Sequence, residues 1–208
     1  MIDLTSFFLP QTAPEYVDAA SGSGVVPSRR RRALQLLPYI GIPLLCAALP
    51  VARAGRTGLL FLLRDEFLIM FSYIAAVSDL KTMRISNSII TVILASWALL
   101  TLPLAFVNVE TLVAALIDSA AGLFMGGGLF LLVYFISKKE LGGGDVKFMA
   151  VSGLCLGWGK TLSAMLLGTV LTGLTGAVLI LMKKISVKDY MPLIPFLFIG
   201  ILISVFLL

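Results

Sequence analysis

The chain has 208 residues, 59% hydrophobic and 13% charged, with a net charge of +5 and a mean hydropathy of +1.05. Such a chain cannot build a polar shell around a soluble core, which excludes a soluble enzyme or a nucleic-acid-binding module and makes it an integral membrane protein in contact with the lipid bilayer. It has no His and two Cys, Cys46 and Cys155, both in apolar runs. A zinc site of the usual His/Cys composition is therefore excluded, no metal or cofactor is expected, and the thiols read as small buried hydrophobes.

In chain order, residues 1–32 combine Pro10, Pro14, Pro27 and the run Ser21-Gly22-Ser23-Gly24, and end in four arginines, 29–32. They read as a flexible polar tail. The next stretch, 33–56, reads as an additional transmembrane helix bent by Pro38, Pro43 and Pro50. Its Ala52-Arg53-Ala54 would also suit signal-peptide cleavage, but the long polar stretch before it, the prolines within it and Arg53 and Arg56 favour a retained helix.

Residues 59–208 read as a six-helix membrane domain with apolar segments at 59–78, 87–107, 111–136, 146–158, 161–182 and 191–208. At about 1.5 Å per residue most can cross a hydrocarbon layer of roughly 30 Å, whereas 146–158 is short. Arg64, Asp65 and Glu66 interrupt the first of these, so its spanning part is expected at 67–81 with the earlier residues at the interface. An amino terminus inside the cell puts twelve Lys and Arg on the cytoplasmic side and only Arg53, Arg56, Arg64 and Lys160 outside. The expected fold is thus an all-α polytopic bundle of about seven helices, six in the core, with its carboxyl terminus outside. Gly122 with Gly126, and Gly168 with Thr172 and Gly176, repeat at four-residue spacing. Small residues so spaced let membrane helices approach closely, although membrane helices use more glycine in any case.

Two carboxylates carry the chemistry. Asp145 follows Gly142, Gly143 and Gly144 where a polar loop meets an apolar segment, and Asp79 ends the segment at 59–78. The charge alternation puts both at the cytoplasmic face, 66 positions apart in sequence. An ionisable group so close to hydrocarbon is costly unless it has a function. Asp145 could instead cap a helix, and Asp79 could pair with Lys81 or Arg84. Asp118, with no glycine turn beside it, reads as a packing or hydrogen-bonding residue.

The run Asp79-Leu-Lys-Thr-Met-Arg-Ile85-Ser86-Asn87, the run Gly142-Gly143-Gly144-Asp145-Val146-Lys147 and the late Pro192-Leu-Ile-Pro195-Phe196 resemble the three signatures of type IV prepilin leader peptidases. These are polytopic aspartyl proteases of the GxGD class, and archaeal preflagellin peptidases are similar. The resemblance covers about 67–208 and departs at Ser86, where the family often has Pro. It implies Asp79 and Asp145 as catalytic residues and a membrane-inserted pilin-like or preflagellin-like precursor as substrate, cut after a short basic leader at the cytoplasmic side. Larger members carry a domain with paired cysteines associated with methylation. This chain has no such cysteine set, so the short, protease-only type found in tight-adherence pilus systems is implied.

From the residues alone, two acids brought together should share one proton, the ionised member activating water and the protonated one polarising the scissile carbonyl. Helix dipoles assign the easier ionisation to Asp145, at a helix start, and the retained proton to Asp79, at a helix end. Gly142 to Gly144 are expected to use positive φ and let a substrate backbone approach. The resemblance implies that Asn87 and Lys147 belong to the same active-site set; two residues beyond Asp145 on a helix, Lys147 points well away, and it reads equally as an interfacial anchor or as a residue that tunes the acids. Pro192 and Pro195 either free carbonyls for an extended substrate or simply start the last helix. The competing classes are a small proton- or ion-coupled transporter and a catalytically inactive secretion-system scaffold. No oligomeric state is read.

Overall fold

The computed structural model describes residues 58–83, 85–137, 141–183 and 191–207. The expected tail, the helix at 33–56, Cys46 and Arg84 lie outside the described residues. What is described is all helical: α1 (Leu59–Thr82), α2 (Asn87–Thr101), the short α3 (Leu104–Val107), α4 (Val109–Leu123), α5 (Leu129–Ile136), α6 (Gly143–Leu156), α7 (Trp158–Leu181) and α8 (Ile194–Leu207).

Local chemistry sets several boundaries. Asn108 starts α4 by accepting the backbone N–H groups of Glu110 and Thr111 at 2.8 and 3.2 Å, as an N-cap should. Ser86 starts α2 by accepting the N–H of Ser88 at 3.3 Å. Its φ of −69° is close to what a proline ring fixes, so the departure from the family pattern leaves this backbone geometry intact. Gly157, at φ +76°, is the sole residue between α6 and α7, a conformation that glycine adopts without strain. Asp118 accepts the N–H of Trp158 at 3.1 Å, placing a carboxylate at the positive end of α7; the hydrogen-bonding role read from sequence is the one observed.

Three stretches are long and apolar enough to cross a membrane: Asn87–Val107, Val109–Ile136 and Trp158–Leu181. Their outer faces expose large apolar side chains such as Ile117, Phe124, Val170 and Leu174, a surface suited to lipid rather than water. The Val109–Ile136 stretch carries one π-helical turn, Phe124–Gly128, between α4 and α5. Here and in α4 the expected close approach occurs. A Cβ on Gly126 would stand 2.5 Å from the Met149 carbonyl oxygen, and one on Gly122 would strike the Gly153 backbone of α6. Gly168 meets the Leu197 backbone of α8 in the same way. With lipid outside, this backbone-to-backbone packing is what drives helix association. The core runs through Leu68 and Ala75 of α1, Phe148 and Met149 of α6, and Ile194, Leu197 and Ile201 of α8.

Two expectations are corrected. Arg64 and Asp65, expected at the interface ahead of a spanning part at 67–81, are not at the surface of the bundle. Helix α1 is continuous from Leu59, about 36 Å long, with Arg64 and Asp65 only 7% and 2% exposed inside the bundle. Lys160, expected in a connection, lies in the first turn of α7, where its ammonium meets Asp65 at 3.0 Å.

Candidate active site

Asp79 lies one turn before the end of α1, and Asp145 is the third residue of α6. Both line one cavity of about 520 Å³, together with Met83, Ile85, Leu141, Gly142, Gly143, Gly144, Met191, Pro192 and Leu193. Three stretches far apart in sequence thus converge: the end of α1, the loop entering α6, and the loop entering α8.

Each carboxylate is held by backbone. Asp79 is 5% exposed, and its Oδ2 accepts the N–H of Ile194, the first residue of α8, at 3.2 Å. The unfavourable negative end of its own helix is thereby offset by the positive end of another. Lys81 is exposed and forms no ion pair with Asp79 among the described residues. Asp145 lies in the first turn of α6, whose N-cap Gly142 has no side chain, and the backbone of Gly142 favours its charged form, so the carboxylate also serves the start of the helix.

The glycines act through space rather than through unusual backbone. Gly142 has φ −65°, and Gly143 and Gly144 are already helical, so the expected positive φ is not adopted. A Cβ on Gly142 would come within 2.9 Å of Asp145 Oδ2, and one on Gly144 within 3.4 Å of Ile85. The first would crowd the carboxylate itself, the second the cavity wall.

Both aspartates sit at helix ends, outside the three stretches long and apolar enough to cross a membrane. Burial raises the pKa of Asp79, with the Ile194 N–H pulling the other way. Burial, then the charge of Asp79, raises that of Asp145 to about 7, opposed by the backbone of Gly142. The charge of Asp79 thus disfavours that of Asp145, as expected of two acids in one cavity.

The other sequence-derived candidates separate. Pro192 lines the cavity and is buried, whereas Pro195 is the second residue of α8 and Asn87 and Lys147 are exposed; none of these three lines it. The prolines stand at the start of a helix, where the Leu193 oxygen accepts the N–H groups of Phe196 and Leu197. What they leave available is the N–H of Ile194. Sequence reasoning missed that donor, together with Met83, Ile85, Leu141, Met191 and Leu193 in the walls. The only signal for the walls is that each flanks a motif residue. Among the described residues no group of three or more His, Cys, Asp or Glu side chains gathers to hold a metal; the chemistry on view is that of an acid pair with backbone donors.

The sequence profile of the Type IV leader peptidase family matches residues 67–181. No curated protein and no solved structure matches the chain. The matched stretch takes in both aspartates and more than half of the chain, and the chain belongs to the type IV leader peptidase family.

Proposed function

We propose that this protein is a multi-pass aspartyl endopeptidase of the cytoplasmic membrane that removes the short basic leader from type IV prepilin-like or preflagellin-like precursors at the cytoplasmic face. The observation that carries the reading is the meeting of Asp79 and Asp145, 66 positions apart, in one cavity at matching helix ends. The excess of Lys and Arg on that side orients it inward. Among the described residues the lining contains two acids and no cation, a field that favours a basic leader.

Each carboxylate has a backbone donor, Ile194 for Asp79 and Gly142 for Asp145; because burial and the charge of Asp79 together raise Asp145, the proton is assigned to Asp145 and the charge to Asp79. This reverses the assignment that helix dipoles alone suggest. Asp79 takes a proton from water as the oxygen adds to the scissile carbonyl carbon, and Asp145 gives its proton to the developing oxyanion. Collapse of the tetrahedral diol returns that proton to Asp145, and Asp79 passes its own to the departing amine. No covalent acyl intermediate forms. A transporter reading has less support, since its carboxylates would be sought near the midplane rather than at the helix ends.

Purified protein in detergent, incubated with a precursor bearing a basic leader before an apolar helix, is expected to yield one new amino terminus at that junction by mass spectrometry. Cutting should survive serine- and cysteine-directed inhibitors and chelators. An intact precursor, or cutting abolished by a thiol reagent, would contradict the proposal.

A further inference from the structure

Lys160 occupies the first turn of α7, the end of a helix where a cation is least favoured. Its ammonium is 3.0 Å from Asp65 on α1, which is 2% exposed. Its backbone carbonyl accepts the hydroxyl of Ser204 on α8 at 2.8 Å. One residue of α7 therefore ties α1 to α8, about 21 Å along α1 from Asp79. At the opposite end of the same two helices Asp79 accepts the N–H of Ile194 at 3.2 Å. The circuit is closed: Asp79, α1, Asp65, Lys160, Ser204, α8, Ile194 and back to Asp79.

We propose that Asp65, Lys160 and Ser204 are positioning residues that hold the axial register of α1 against α8 and so keep Asp79 seated on the Ile194 N–H. The catalytic importance of that seat rests on the peptidase reading above; the register itself does not. Helices are stiff along their axes, so releasing the far tie lets α1 and α8 slide. A displacement of about 1 Å is enough to spoil a hydrogen bond and the alignment of a reacting group. Among the described residues the two aspartates are the only titratable groups lining the cavity. α8 offers it only backbone, and Lys81 and Lys147 are exposed. A lost Ile194 bond is therefore read directly by the acid pair.

The test is a carbon-13 titration of the aspartate carboxyls in detergent, assigned with Asp79→Asn and Asp145→Asn, on wild type, Ser204→Ala, Asp65→Asn and the double exchange Asp65→Lys with Lys160→Asp. The Ile194 N–H favours the ionised form, so its loss should raise the first ionisation of the pair. The expected shift is about half a unit to one unit in Ser204→Ala and in Asp65→Asn. Cleavage should lose about tenfold in kcat with KM within twofold, and the double exchange should recover part of both effects. Ser204→Ala removes only a hydroxyl and keeps the test open should Asp65→Asn fail to fold. An unmoved titration and unchanged kcat in folded Ser204→Ala would overturn the proposal. A shifted titration in a protein whose wild type cuts no precursor would instead uphold the register and refute the peptidase reading.

Discussion

Asp145 is legible as a functional residue because it follows three glycines with an apolar helix behind it, while in the structure the backbone of Gly142 also gives its charge a place at the helix start. Asp79 is legible only in combination, since a carboxylate at a helix end is commonplace until a second shares its depth. The backbone N–H of Ile194, which reaches Asp79 from another helix, has no side-chain signature and could not be read, so dipoles alone gave the opposite division of charge. The pH dependence follows with a definite sign. A carboxyl raised from 3.8 to about 7 on folding binds its proton more tightly in the folded state. Its contribution to stability is full below about pH 4 and is lost as pH rises through 7. Asp145→Asn removes that loss, so the variant is expected to melt several degrees higher than wild type at pH 8, with the gap closing toward pH 4.5, by thermal unfolding in detergent. An equal gap at both pH values would show that Asp145 is not raised. The cavity wall gives a second expectation. Gly142→Ala brings a methyl group to 2.9 Å from the Asp145 carboxylate and should cut kcat at least tenfold with little change in expression, whereas Gly143→Ala, which meets nothing within 4 Å, should stay within about threefold.

Among the elements, helix positions follow from apolar runs of roughly twenty residues, and the glycine spacing in α4 marks the crossing with α6. The structure assigns that spacing a use: Gly122 and Gly153 bring two backbones together, and the π turn at Phe124–Gly128 continues the contact along Met149 and Ala150. Gly122→Ala is therefore expected to cost about 1–3 kcal/mol and to lower the melting temperature. Gly128→Ala, in open space within the same π turn, should change it little. One element boundary was not readable. The junction of α6 and α7 is a single glycine with positive φ, and no window of hydropathy resolves a one-residue break. The burial of the charges in α1 could not be read either, because Lys160, the partner of Asp65, lies 95 positions away. A clue was present, since Asp65, Ser72 and Asp79 recur every seven residues and all three are buried, which marks one inward stripe of a continuous helix.

For the whole molecule, the all-helical class follows from composition, and the family profile accords with the motifs that suggested it. Orientation is a separate inference from charge. With Cys155 buried and free and both native cysteines replaced, single cysteines at Ser86 and Ser137 are expected to react with a membrane-impermeant thiol reagent only after cells are opened. Cysteines at Asn108 and Gly159 should react in intact cells, and the inverse pattern would place the acid pair outside. The most direct measurement is cleavage of a leader-bearing precursor by purified wild type beside Asp79→Asn and Asp145→Asn, each shown to be folded by its melting curve. The account predicts that wild type cuts once, with activity falling on both the acid and alkaline sides, and that each variant loses at least a thousandfold. Either folded variant cutting at near wild-type rate would contradict it.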